Sequence, residues 1–210
     1  SNSGTITHQG DAVVKFYAGG ILSNLAGGVY ELQGDGGFDR LYTNSSSRGT
    51  INNAGIFRKS GGAGMSTVGA GVRFNNTGTV EVTSGTLAIN SGGASTDGQY
   101  IFANGGRTRL GGQIFNLSGI NTISGSGALE VGGATVRVTD MATISGSSGA
   151  SLEVTGGSLY AEVGGDLTLD LTGGSAVKFM GGSIGGTGVG AAGVTTNVGN
   201  FEWTGGTVQG

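Results

Sequence analysis

The sequence predicts an all-β chain wound as a parallel, three-sided β-helix, a β-solenoid with about 21–25 residues per turn. Three observations carry this. A short phrase, apolar–any–apolar and then a glycine pair, recurs along the chain. Apolar and polar residues alternate within each period, as in strands with one face on a core. Glycine is abundant, at 49 of 210 residues, while proline is absent. A recurring unit of this size is the mark of a solenoid, in which each turn buries its apolar side only against its neighbours.

The phrase is written at Leu87-Ala88-Ile89, Thr108-Arg109-Leu110, Leu129-Glu130-Val131, Leu152-Glu153-Val154, Val177-Lys178-Phe179 and Phe201-Glu202-Trp203. Its copies lie 21, 21, 23, 25 and 24 residues apart, and glycine pairs follow at 92, 111, 132, 156, 181 and 205. Between 152 and 182 apolar runs begin at Leu152, Leu159, Leu167 and Val177, which gives three short strands per turn. Glycine supplies the positive φ that sharp corners need. Proline would remove a ladder donor wherever strands stack on both sides, so its absence fits. Roughly nine turns at ~4.8 Å make a rod about 40 Å long. Right-handed winding is expected, because crossovers between parallel strands almost always take that hand.

Residues 1–48 read as irregular N-terminal turns or a cap, and 49–210 as regular solenoid turns. Ala12–Ala18 fits a strand or a short capping helix. Val29–Leu32 and Gly49–Phe57 look like further turns. The spacing widens to 30 residues between Phe57 and Leu87, so an insertion loop is expected near 60–71, and Asn44–Arg48 reads as a second loop.

Stacking the phrases predicts three columns. Leu87, Thr108, Leu129, Leu152, Val177 and Phe201 form one inner column, and Ile89, Leu110, Val131, Val154, Phe179 and Trp203 the other. Between them, facing out, run Ala88, Arg109, Glu130, Glu153, Lys178 and Glu202, with nearly balanced charge.

Composition narrows the function classes. Charged residues are 11% of the chain and the net charge is −3, with no basic cluster in the sequence to grip phosphates, so nucleic acid is not an expected partner. No run of 18 apolar residues offers a membrane span. The opening Ser-Asn-Ser-Gly-Thr lacks signal-peptide character, so a mature segment, an excised fragment or a cytoplasmic protein is expected.

Chemistry is sparse. His8 is the single histidine, cysteine is absent, and no zinc-type ligand spacing exists. A histidine so placed is expected to be solvated. Glu130 and Glu153 should stack one turn apart, near the ~5 Å separation of retaining glycosidases. With Arg109 and Lys178 in the same column they read instead as a compensated charge ladder. Gly34–Asp39 (GDGGFD) has the flavour of a calcium turn but occurs once, out of register, and reads as a plain turn. Asp166 and Asp170 are too far apart on one strand for concerted work, and Tyr160 stands outward alone. No catalytic, cofactor or metal residue is assigned, and the chain is not expected to be an enzyme.

Phe74–Gly93, Gly49–Gly64 and Phe201–Gly210 resemble the repeats of bacterial surface proteins such as autotransporter passengers and filamentous-haemagglutinin-like adhesins. The resemblance covers most of 49–210. It implies a secreted, extracellular β-solenoid that builds a stalk or fibre or presents an adhesive surface to a glycan or host ligand, without a shared catalytic motif. The turn pattern runs through Trp203-Thr204-Gly205-Gly206-Thr207-Val208. Asn200, Phe201, Glu202, Trp203, Thr207 and Val208 are therefore the candidate end-to-end contact, unless a larger chain continues past them. The alternatives are a carbohydrate-binding or polysaccharide-cleaving β-helix and a trimeric phage-tailspike-like stem.

Overall fold

A computed structural model describes residues 1–17, 19–42, 48–186 and 193–209. Every regular element among them is a strand, and every ladder pairing is parallel, so the chain is a β-solenoid of about eight turns. The first rung shows the plan. Thr5–His8 lies on a first face, Val13–Phe16 on a second and Ile21–Asn24 on a third, and the next turn begins with Val29–Leu32 paired onto Thr5–His8. The last described rung repeats it with Val194–Val198, Phe201–Trp203 and Thr207–Gln209.

The second face is a nine-stranded sheet of its own. Its registers reproduce the three predicted columns. Ile89 pairs with Leu110, then Val131, Val154, Phe179 and Trp203 follow in turn. Leu87, Leu129, Leu152 and Val177 are almost wholly enclosed, as is Thr108 among them. The sequence spacing survives because each phrase is the same strand of successive turns.

The first and third faces form one 16-stranded sheet. They are joined by two long strands, Ile114–Gly125 and Thr135–Ser147, which run around a corner without stopping. A register shift between Leu117 and Gly119 absorbs the bend. Gly119 takes it with φ 66°, a conformation that costs an L side chain but not glycine.

Two expectations are corrected here. Residues 60–71 are not an inserted loop, because Met65–Val68 is a strand of the second face, paired onto Thr86–Ile89. Its inward positions are Ser66 and Val68, and a buried serine hid the alternation. The 30-residue gap from Phe57 to Leu87 is likewise no widened turn: Phe57 lies on the first face and Leu87 on the second. On the first face Ile56 pairs with Thr79, an ordinary step of 23 residues. Within Ala12–Ala18, whose sequence fits either a strand or a helix, Val13–Phe16 is a strand. Most of the loop expected at Asn44–Arg48 lies outside the described residues.

The tube is filled along its length by apolar side chains. Toward the N-terminus they are aromatic: the Tyr30 and Phe57 rings stack with centroids 5.4 Å apart, and Phe38 and Phe74 pack on Phe57. Further along, Leu152, Val154, Leu159, Leu167, Leu169 and Leu171 take over, all fully buried. Each such side chain contributes roughly 1.5–3 kcal/mol.

One corner is held by polar groups. Asn2 Nδ2 donates to Asn24 Oδ1, Asn24 Nδ2 to Asn53 Oδ1, and Asn53 Nδ2 to Asn76 Oδ1, each at 2.8 Å. Asn24 and Asn53 also donate to the carbonyls of Ile56 and Thr79 in the following strands. An amide carries both donors and an acceptor, so it can bond the turn below, the turn above and its own corner at once. Buried polar groups are tolerated only when satisfied in this way.

Candidate functional site

The outer column of the second face brings together the residues that the sequence offered as paired acids. Glu130 and Glu153 occupy successive rungs in register, with Arg109 before them and Lys178 after. Arg109 Nε lies 3.5 Å from Glu130 Oε1, and Lys178 Nζ 3.4 Å from Glu153 Oε1. Between them stands a cation that sequence reasoning missed. Arg107 Nη1 bridges both acids, 3.2 Å from Glu130 Oε2 and 2.5 Å from Glu153 Oε2. Thr155 Oγ1 donates to Glu130 and Ser151 Oγ to Glu153. Arg107 lies two residues before Arg109 on the same strand, so it too points outward, one column over. The alternation alone could have revealed it.

The electrostatics follow. Glu153 is 6% exposed, and that burial alone would push its carboxyl up. The hydrogen bonds from Arg107 and Ser151, with the charges of Arg107 and Lys178, outweigh burial and hold it below the ordinary carboxylate range. Burial pulls the Arg107 guanidinium down, but its two acids more than compensate and raise it. A general acid needs the opposite, a carboxyl that keeps its proton near neutral pH. A similar ladder crosses the first face, where Arg58 Nε sits 2.7 Å from Glu81 and Nη1 3.7 Å from Glu31.

His8 is not solvated as expected. It is 9% exposed, its Nε2 lies 2.9 Å from the Ala12 carbonyl and its Nδ1 3.3 Å from the Tyr30 hydroxyl, and its ring meets Tyr30 and Phe38 edge-on. It is part of the aromatic filling at the N-terminal end.

The GDGGFD segment is occupied by a lysine. Lys59 points inward on its strand, is wholly buried, and reaches the corner to place Nζ 2.8 Å from Asp35 Oδ1. It also donates to the carbonyls of Gly34 and Gly61. Asp35 accepts from the Gly64 amide, and its own amide donates to Asp11. The Lys59 hydrogen bond is the main cause of a lowered Asp35 carboxyl. Asp166 and Asp170 stand outward on one strand, where Asn197 donates to Asp170. Tyr160 projects outward between the buried Leu159 and Ala161.

The terminal rungs differ from the rest of the coil. Phe179 is enclosed, but its ladder partner Trp203 is 58% exposed, with the two rings 6.2 Å apart. Phe201 and Val208 are also exposed, and with Ile184, Val194 and Gln209 they line an apolar hollow of about 330 Å³. Asn200 accepts from the Val177 amide, while Glu202 and Thr207 stand exposed on the same rung. At the other end Ile6 and Val14 are exposed, although their partners Tyr30 and Phe38 are buried.

No protein-family model matches the chain, and neither a curated protein sequence nor a solved structure matches it significantly. Among the described residues no helix is long and apolar enough to cross a membrane.

Proposed function

We propose that the chain forms an extracellular β-solenoid rod of the bacterial surface-adhesin kind, whose terminal rungs can stack on those of a second copy. The observation that carries this is the exposure of inward-facing apolar residues on both terminal rungs, Ile6 and Val14 at one end and Trp203 and Val208 at the other. The column that starts at Val14 and Phe38 finishes at Phe179 and Trp203, so the first rung of a second copy would continue the ladder of the ninth. Open strand edges of this type are templates for another strand, and a head-to-tail contact that does not close yields a filament. Flanking turns of a longer chain would satisfy the same surfaces.

The rod reading also draws support from the side faces, where Glu31, Glu81, Glu130, Glu153 and Glu162 are each paired with a neighbouring arginine or lysine. Cleavage of a polysaccharide by Glu130 and Glu153 is disfavoured by the same ladder.

Electron microscopy of the purified chain across a concentration series tests the end-to-end form. Filaments a few nanometres wide that lengthen with concentration, and vanish when Asn200–Gly210 is deleted, are expected. Short rods at every concentration, or filaments undiminished by the deletion, would overturn stacking between copies.

A further inference from the structure

The chain has ten lysines and arginines. Seven have a carboxylate partner: Lys15, Arg58, Lys59, Arg107, Arg109, Arg137 and Lys178. Arg40 is also engaged. The remaining two, Arg48 and Arg73, have no carboxylate partner among the described residues, and all thirteen carboxylates belong to those residues. Both line the same cleft.

That cleft has a volume of about 410 Å³ and lies at the edge of the third face. Its floor is Gly93, the start of the strand Gly93–Thr96, flanked on one side by Val72–Asn76 and on the other by Ile114–Gly125. Gly93 adopts φ 149°, and a Cβ there would overlap the Phe74 carbonyl oxygen, so the position is reserved for glycine. The walls are Arg48 and Arg73 on one side and Gln113, Asn116 and Arg137 on the other. Arg137 Nε pairs with Glu162 at 3.1 Å, and no carboxylate lines the cleft itself. On a chain of net charge −3, this is a locally cationic hollow with amide side chains beside the guanidinium groups.

We propose that this cleft binds an acidic saccharide, with Arg73 and Arg48 taking its carboxylate or sulfate group and Gln113 and Asn116 its hydroxyls. Guanidinium groups suit oxyanions because their planar forks donate two parallel hydrogen bonds. Side-chain amides both donate and accept, as sugar hydroxyls require. The site is on the flank of the rod, so it does not depend on end-to-end stacking.

The test is calorimetric titration of the full chain with oligogalacturonate, dextran sulfate and neutral dextran. Binding of either anionic sugar, and none of neutral dextran, is expected, weakening as salt rises. Arg73→Gln should weaken it about tenfold or more. Lys15→Gln removes the same charge elsewhere on the rod and should leave it unchanged, with circular dichroism checking that both variants fold. Preference between oligogalacturonate and dextran sulfate identifies the anion as carboxylate or sulfate. Absence of binding to both anionic sugars, equal binding of neutral dextran, or equal losses in the two variants would each overturn the proposal, the last by showing diffuse attraction instead of a cleft.

Discussion

Lys59 Nζ lies 2.8 Å from Asp35 Oδ1, an ion pair with the lysine wholly enclosed and the aspartate a third exposed. The ammonium has entered the tube from the inside of one strand and found its counter-charge on the corner of the turn before. Removing the carboxylate strands a buried charge on two carbonyls. Asp35→Asn is therefore expected to destabilise the coil by about 1–3 kcal/mol, since the lysine keeps part of its hydrogen bonding. Lys59→Met removes the charge along with its partner's need for it and should cost less. Denaturant midpoints of the two variants check the order, and a costlier Lys59→Met would contradict it.

Glu153 gives the rod an acid limit. Its carboxyl is held below the ordinary value of 4.5, so in the folded state it stays ionised to lower pH than in the unfolded chain. The stability it contributes is full above about pH 4.5 and drains away as the pH falls through the lowered folded value. Melting temperatures recorded from pH 6 to pH 3 should fall for the wild type. Glu153→Gln should start lower and fall less, and an unchanged slope would show that other carboxylates dominate.

Alkali attacks from the opposite side. Burial pushes the Tyr100 phenol from 10 up to about 12, and Tyr30 behaves likewise. The folded chain therefore keeps protons that the unfolded chain releases, so stability is intact below pH 10 and is lost as pH rises from 10 toward 12. Tyr100→Phe should make that decline shallower. Ultraviolet titration of phenolate against unfolding measures both events, and release of the Tyr100 proton near pH 10 without unfolding would refute the assignment.

The asparagine corner should fail most sharply in its middle. Asn53 accepts from Asn24 and donates to Asn76 and to the Thr79 carbonyl, so Asn53→Ala breaks the run of amides on both sides and removes three buried hydrogen bonds at once. A loss of about 3 kcal/mol is expected. Asn2→Ala, at the end of the run, should cost distinctly less. Comparable losses at the two positions would mean that the chain of amides does not act as a unit.

Legibility in the sequence followed phase. On the second face the turns from Leu87 onward repeat one phrase beside a glycine pair, with Thr108 the one polar inner position, so inner and outer columns could be assigned residue by residue, including the stacking of Glu130 on Glu153. Phase was lost where inward positions turned polar. Ser66, Lys59 and the asparagines all sit inside the coil, yet their chemistry reads as surface or turn. Their hydrogen bonds come from the rungs above and below, and a linear sequence does not display those neighbours. The repeated Asn-x-Gly at Asn53 and Asn76, each three residues before a strand, was the available clue. The cationic cleft was hidden more deeply. Arg48, Arg73 and Arg137 are scattered along the chain, and only the winding brings them around one hollow.

The unbroken strands Ile114–Gly125 and Thr135–Ser147 have a mechanical consequence. In the first turns the corner these strands round is crossed by short links pinned by the side chains of Asn24, Asn53 and Asn76. In these two turns one corner is itself hydrogen-bonded ladder, so flexing there must break pairing rather than rotate a linker. The middle of the molecule is a collar braced by backbone pairing, next to N-terminal turns braced by side-chain amides. Bending a rod at that corner would have to part backbone ladder within residues 114–147, and side-chain amide bonds in the turns before them.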